Sequence, residues 1–341
     1  MNIKETQKMY YEMINIYSSQ DKRHLKNLLH PYFMEAIYKN LKSTDEIKKF
    51  ISSSKKLHWF IFSDYCINDK NKNNQVMTFS IIGLNNYNQL EVIDKVIGKL
   101  QPFDLKDSKE INLNFINFLN AMPIFNISFR LPENRNYTNA FDFNEIDFLK
   151  MRYESLLEYF KRLQNVPLQG FDFREQIKDF RFILNKFKSK SISLKVFRDI
   201  EIITSIVSSI CILISQAHEN KKLSFIWISD RDSLINFEQK NLSMPLIFSM
   251  IHASLHSFIK TNNKIIFIQH DSKSTPITDN LNRIPDMIAG TLADMSNTHV
   301  SHKKYLPVIR NHLILKNKNH IAQLYFKKDK YGVSTISLVK E

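Results

Sequence analysis

The stretch from Lys264 to Met295 limits the possible folds of this chain most. It opens with the apolar run Ile265–Ile268, which is β-branched and aromatic and too short for a helix, so it predicts a buried strand. A polar loop follows, and apolar residues at helical spacing with Pro285 in the first turn then predict a helix. Asp286 lies in that turn, where the helix dipole favours an acidic residue. The same position also suits a metal ligand presented toward the edge of a sheet.

Two earlier apolar runs also carry an aspartate at their end. The segment Leu57–Ile67 predicts a central strand that is interrupted by Asp64. The segment Leu223–Asp230 predicts a later strand, and Asp232 follows two residues on. A carboxylate inside such a run is costly to bury unless it is paired or binds a metal. Both explanations stay open at this point.

The order of the patterns predicts an α/β fold with a mixed five-stranded sheet flanked by helices. Gln75–Leu84 and Ile124–Leu131 are expected to form the second and third strands. If the first and fourth strands are parallel neighbours, Asp64 and Asp230 converge at their carboxyl ends and Asp286 packs beside them. Three clustered carboxylates repel one another unless cations hold them, and their oxygens suit Mg²⁺ or Mn²⁺. Two such ions are the usual apparatus of phosphodiester cleavage.

The chain is strongly basic, with a net charge of +14 and a pI of about 9.5. This charge suits a polyanion, nucleic acid first and an anionic membrane second, although a soluble basic protein has it too. The segment Phe171–Arg198 interleaves phenylalanines with basic residues. It predicts either a surface that follows phosphates with stacking aromatics or an amphipathic helix with its phenylalanines in the core. The candidate nucleic-acid-binding residues are Arg174, Lys178, Arg181, Lys186, Lys188 and Lys190.

Several classes of protein are disfavoured by what the chain contains. The two cysteines are far apart, so no disulfide framework or cysteine-based zinc site is expected. Five glycines in 341 residues argue against glycine-rich nucleotide-binding loops. The most apolar run, Ile202–Ile214, is expected to be a buried helix rather than a membrane span. A cytoplasmic protein without a membrane anchor is expected. His252 and His256 have the i, i+4 spacing of metal ligands, but packing or surface histidines are the favoured explanation.

A resemblance connects the acidic positions. The strand order with these aspartates resembles the RNase H-like (retroviral integrase) superfamily, and more narrowly a largely uncharacterised bacterial and phage family within it. The resemblance spans about residues 57–296. The matching pieces are Phe62-Ser63-Asp64, Ile228-Ser229-Asp230, Asp271-Ser272 and Pro285-Asp286-Met287-Ile288-Ala289-Gly290. The chain departs from the family pattern at Tyr65, where a glutamate is usual, and at Pro285, where an alanine is usual.

The resemblance implies a divalent-metal-dependent nuclease or a related phosphoryl-transfer enzyme. Asp64, Asp230 and Asp286 would be catalytic metal ligands for Mg²⁺ or Mn²⁺, with Asp232 or Asp271 as an auxiliary carboxylate. The alternative is a non-catalytic nucleic-acid-binding or scaffold subunit of a phage-defence or mobile-element complex. The expected organisation is a helical extension at 1–55, a core at 56–297 with a helical insertion at about 166–198, and a β extension at 298–341.

Overall fold

A mixed seven-stranded sheet with helices on both faces organises the chain in the computed structural model. The structure describes residues 31–140, 144–164, 173–189, 192–219, 221–229, 233–258, 264–268, 279–296, 299–328 and 330–338. The strands are β1 His58–Cys66, β2 Gln75–Leu84, β3 Ile124–Leu131, β4 Ser224–Ser229, β5 Lys264–Ile268, β6 Asn319–Lys327 and β7 Lys330–Ile336. The helices are α1 Phe33–Ser43, α2 Asp45–Ser53, α3 Tyr87–Leu100, α4 Leu113–Ala121, α5 Glu145–Leu163, α6 Phe173–Lys188, α7 Leu194–Ala217, α8 Leu246–Phe258 and α9 Arg283–Asp294.

The strand order is β5-β4-β1-β2-β3-β6-β7. Strands β1, β2 and β3 pair antiparallel in sequence, whereas β4 is parallel to β1 and β5 is parallel to β4. The expectation that the five predicted strands share one sheet, with the first beside the fourth, is confirmed. The carboxyl ends of β1, β3, β4, β5 and β6 therefore lie at one edge of the sheet, which is where sites gather in such folds.

The alternation of side chains along β1 separates the two hydrophobic cores. Trp59 and Ile61 point to the face that α7 covers, and Phe60 and Phe62 point to the face that α9 covers. Both sets are fully buried, which explains why the strand reads as an uninterrupted apolar run. We call these the α7 face and the α9 face. Helices α1, α2, α5, α6 and α8 also contribute to the α7 core, and α3 and α4 to the α9 core.

Helix α7 is the centre of the larger core. It runs from Leu194 to Ala217, which is longer than its apolar run alone indicates. Among the described residues it is the one helix long and apolar enough to cross a bilayer, but most of it is buried inside the protein. It therefore packs as a core helix. Helix α5 begins at Glu145, because the Asn144 side chain accepts hydrogen bonds from the N–H groups of Ile146 and Asp147.

The end of the chain corrects one expectation and extends the sheet. The sequence predicts a strand at His312–Lys316, but residues 309–313 form a π-helical turn instead. The His312 ring is buried there, with Nδ1 2.6 Å from Asn120 Oδ1 and Nε2 3.1 Å from Asn126 Nδ2. The hydrogen bonds of the His312 ring favour this turn more strongly than the β-branched residues of the segment favour a strand. The hairpin is formed by β6 and β7, and β6 pairs with β3 in parallel.

Candidate functional site

Asp64 lies near the carboxyl end of β1 and faces α9. The alternation that buries Phe62 on the α9 face brings Asp64 and Cys66 to the same side. Its carboxylate is half-buried. Across the sheet it is paired in register with Thr78, whose hydroxyl lies 2.9 Å from that of Ser128 in a buried contact. Asp64 therefore borders a polar strip that crosses the α9 face of the sheet.

Asp286 approaches the same region from α9. It lies in the first turn of that helix and is half-buried, as the sequence predicts. Its Oδ2 accepts a hydrogen bond of 3.3 Å from the backbone N–H of Leu105. One turn further along, Gly290 allows close packing, since a Cβ there would come 2.6 Å from Leu105 Cδ2. The loop around Leu105 thus fixes the height of α9 above the sheet, and with it the position of Asp286.

The pKa of the Cys66 thiol is affected by both carboxylates. Burial raises the pKa of Cys66 to about 11, and the negative charge of Asp64 is the next cause. Asp69 and Asp286 raise it further, whereas Lys72 opposes them. Carboxylates from β1 and from α9 therefore act on one point at the carboxyl edge of the sheet.

The loop between β1 and β2 ties this edge to the end of α9. The Asn74 N–H donates to Ala293 O at 2.9 Å, and Asn73 Nδ2 donates to Asp294 O at 2.7 Å. The Asp294 carboxylate in turn accepts from Lys72 Nζ at 3.2 Å. Burial alone would raise the pKa of Asp294, but hydrogen bonds from Ser301 and Lys72 hold it below its ordinary value. This carboxylate is a structural link that stays ionised, distinct from Asp64 and Asp286.

On the other side of the same strand end, Tyr65 links β1 to β4. Its hydroxyl lies 2.8 Å from Ser63 Oγ and accepts a hydrogen bond of 3.3 Å from Ser229 Oγ. Trp227 Nε1 donates to Ser63 Oγ at 2.9 Å. The residue that departs from the family pattern thus holds the ends of two parallel strands together. The sequence contains a signal for this link, because Ser63 and Ser229 interrupt otherwise apolar strands.

The structure describes two of the five candidate acidic residues. Asp64 lies on β1 and Asp286 lies on α9, which covers that face of β1, whereas Asp230, Asp232 and Asp271 lie outside the described residues. The last described residue of β4 is Ser229, one position before Asp230 in sequence. Within the described ranges, no three His, Cys, Asp or Glu side chains form a metal-binding group. His252 is half-buried on α8, and the side chain of His256 is outside the description.

The basic segment forms the amphipathic helix α6 on the α7 face. Its phenylalanines Phe173, Phe180 and Phe187 are buried in the core, so they are not available for stacking on bases. Lys178 pairs with Glu175 at 2.6 Å, and Lys186 pairs with Glu238. The charged groups lie on the opposite face of the sheet from Asp64. Arg174, Lys178, Arg181 and Lys188 are exposed, Lys186 is half-buried, and Lys190 lies outside the described residues.

A cleft of about 460 Å³ opens beside the end of β3. Two arginines in its wall are already held by acids: Arg135 Nε is 2.5 Å from Asp199 Oδ1, and Arg198 is 2.5 Å from Glu145. The cleft is lined by Glu133, Asn134, Arg135, Lys195 and Arg198.

Comparison with protein-family models, with curated proteins and with solved structures finds no match to this chain.

Proposed function

We propose that this chain is a divalent-metal-dependent nuclease, or a related phosphoryl-transfer enzyme, built on an RNase H-like core. The strand order supports the core: three successive antiparallel strands are followed by two strands that lie parallel to β1 on its other side. This strand order is the structural feature that supports the RNase H-like part of the proposal. Strands β6 and β7 are an addition next to β3.

The observation that carries the proposal is that Asp64 on β1 faces α9, the helix that carries Asp286 in its first turn. The two acids come from a strand and a helix that are 222 positions apart in the chain, yet both raise the pKa of the same thiol. Carboxylate oxygens with room for water are the donors that Mg²⁺ and Mn²⁺ prefer. The donor set therefore fits a hard divalent cation.

In this proposal Asp64 and Asp286 hold the metal, and Asp230, Asp232 and Asp271 are further candidate ligands. A bound ion of this kind activates water and stabilises the oxygen that leaves the phosphorus. The chain itself positions the ligands. Tyr65 keeps the end of β1 beside β4, and the Leu105 N–H orients the Asp286 carboxylate.

Thermal melting with and without metal, combined with a cleavage assay, tests the proposal. Wild-type protein should gain melting temperature in millimolar Mg²⁺ or Mn²⁺, because an ion that binds only the folded state stabilises it. It should also cleave labelled DNA or RNA, and EDTA should abolish the cleavage. Asp64→Asn and Asp286→Asn should each lose most of the metal-dependent gain and the activity.

Asp94→Asn is the matched control. Asp94 is a buried carboxylate in the same core, where it accepts hydrogen bonds from Asn280 Nδ2 at 2.8 Å and from the Leu281 N–H at 3.2 Å. Its substitution should lower stability but leave the metal-dependent gain in place. A wild-type protein that shows neither a metal-dependent shift nor cleavage of any nucleic acid would contradict the nuclease.

A non-catalytic nucleic-acid-binding or scaffold subunit is the second candidate. Tyr65 favours it, because this residue stands where the resembled family has a glutamate and its hydroxyl bonds to serines on the α7 face. Such a protein would bind nucleic acid without cleaving it, and metal would leave its melting temperature unchanged. The same two assays therefore separate the candidates.

A further inference from the structure

The hairpin of β6 and β7 has one covered face and one open face. On the α7 face Phe326 packs against Phe33 of α1, and Tyr331 packs against Tyr32. On the α9 face, Ile321 is buried in the α9 core and Ile336 packs against that core, so the open part of the hairpin lies toward the turn between β6 and β7. That side of the hairpin carries the exposed residues Gln323, Lys327, Lys330 and Ser334, and the half-exposed Tyr325.

Tyr325 lies flat against the hairpin. It is paired in register with Gly332, and a Cβ at that glycine would overlap the tyrosine hydroxyl. A larger residue at position 332 would require the ring to shift. Lys330 Nζ lies 5.9 Å from the ring centroid. An aromatic ring that lies along an open sheet face beside cations is suited to stack on an unpaired base.

Arg130 marks the boundary between the covered and the open parts of the sheet. It lies on β3, in register with Val76, which is buried under the α9 core, and with Gln323, which is exposed. Its Nε and one Nη are buried and make no hydrogen bond to any described residue. Burial lowers its pKa, which means that the cation lacks full solvation. The guanidinium therefore adds positive charge at the edge of the open face.

The charge of the hairpin favours an anion as the occupant. Strands β6 and β7 contain no acidic residue, and residues 327–330 supply three lysines against one aspartate. Arg130 adds a further cation on the same face. This pattern complements a phosphate backbone, and the tyrosine between the cations suits the bases that a single strand exposes.

We propose that the open hairpin face, formed by Arg130, Tyr325, Lys327 and Lys330, binds a single-stranded segment of nucleic acid. One base stacks on Tyr325, phosphates contact the two lysines, and the charge of Arg130 at the edge of the face attracts the strand. The proposal rests on the proposed function, because it names the surface that holds the substrate beside the acidic site. Asp64 lies on the same face three strands away, a lateral distance of about 14 Å at normal strand spacing.

Fluorescence anisotropy with a short labelled oligothymidine in EDTA tests this surface without cleavage. Tyr325→Leu removes the stacking ring but keeps an apolar cover on Gly332, and it should weaken binding roughly 5- to 150-fold. Tyr325→Phe keeps the ring and should bind within about twofold of wild type, because stacking does not require the hydroxyl. A duplex of the same length should respond much less to Tyr325→Leu, since its bases are already stacked.

The cations are tested through the salt dependence of binding. Lys327→Gln with Lys330→Gln should lower the log–log salt slope by about 0.7 for each lost phosphate contact. Arg130→Gln should also weaken binding, and it serves as the independent variant if Tyr325→Leu fails to fold. Lys42→Gln with Lys49→Gln is the control, because these exposed lysines lie on helices that cover the α7 face. Circular dichroism melts check that each variant is folded.

The outcomes separate this surface from the acidic site. If wild type binds the oligonucleotide and every folded hairpin variant binds equally well, the open face is not the binding surface, while the proposed nuclease stands. If the hairpin variants bind weakly and Asp64→Asn cleaves normally, the acidic site is wrong and the open face stands. If wild type binds no single strand, the open-face proposal is overturned, and cleavage of duplex alone would then decide the nuclease.

Discussion

Two pairs of acids, one on each side of the sheet, are held in different ways. On the α7 side Glu201 is paired with Arg152 at 2.7 Å, and both side chains are completely buried. Asp199 is paired with Arg135 in the same manner. On the α9 face, Asp64 and Asp286 act together on the thiol of Cys66. An acid that is matched by a buried arginine is neutralised by the chain, whereas acids that act together on one point favour a cation from solution.

Breaking the pair on the α7 side should have the largest effect on stability. Glu201→Gln leaves the guanidinium of Arg152 buried without its counter-charge, so the free energy of unfolding should fall by about 3–5 kcal/mol. Urea unfolding measures the change. Replacing both members with apolar residues, Arg152→Met with Glu201→Leu, should recover most of the loss. If the single variant costs under about 1 kcal/mol, the two faces do not differ as described.

Two buried histidines give a pH-dependent effect that should be equal on the two faces. Burial lowers the pKa of His312, on the α9 face, and of His320, on the α7 face, to about 4 each. Between the ordinary pKa of 6.5 and pH 4 only the unfolded state takes up the proton. Stability is therefore complete above pH 6.5 and falls as the pH is lowered to 4, by about 3 kcal/mol for each histidine.

Chemical denaturation at successive pH values checks this. His312→Gln and His320→Gln should each flatten the curve between pH 6.5 and 4 by a similar amount. The exposed His302 supplies the control variant, His302→Gln. A curve that each buried substitution leaves unchanged would show that the rings are protonated in the folded protein.

The smallest change in stability is expected at the site itself. Without metal, Asp64→Asn should leave the free energy of unfolding unchanged or raise it by up to about 1 kcal/mol, because it removes repulsion from Asp286. Asp199→Asn, on the α7 side, should instead cost several kcal/mol. Urea unfolding in EDTA compares the two. If Asp64→Asn is as costly as Asp199→Asn, Asp64 is a structural acid like those on the other face.

The strand core follows from the sequence because its signals are local. The strands β1 and β4 are buried on both faces, so each is recognisable from its own run of apolar residues. The aspartates at the ends of these runs predicted a site at one edge of the sheet. The α6 helix also follows from its pattern, and a role for its exposed lysines in nucleic-acid binding stays a prediction. The acids at 230, 232 and 271 remain predictions as well.

The features that the sequence did not predict depend on partners that are distant in the chain. The pairing of β6 with β3 has no signal in either segment alone. The turn around His312 depends on Asn120 and Asn126, almost two hundred residues earlier. The link from Tyr65 to Ser229 needs the register of two strands to be known. In each case a hydrogen bond between remote residues decided the local structure.

The parallel pairing of β3 with β6 also has a consequence for how the protein is made. Asn126 and Asn319, which are hydrogen-bonded across these strands, are 193 positions apart. At normal rates of synthesis the second strand emerges roughly 10 to 40 seconds after the first. Through that interval β3 is an open edge that can pair with a neighbouring nascent chain. The yield of folded protein in a cell should therefore depend on translation speed and chaperone supply. Slower synthesis between these two strands lengthens the time during which β3 is an unpaired edge.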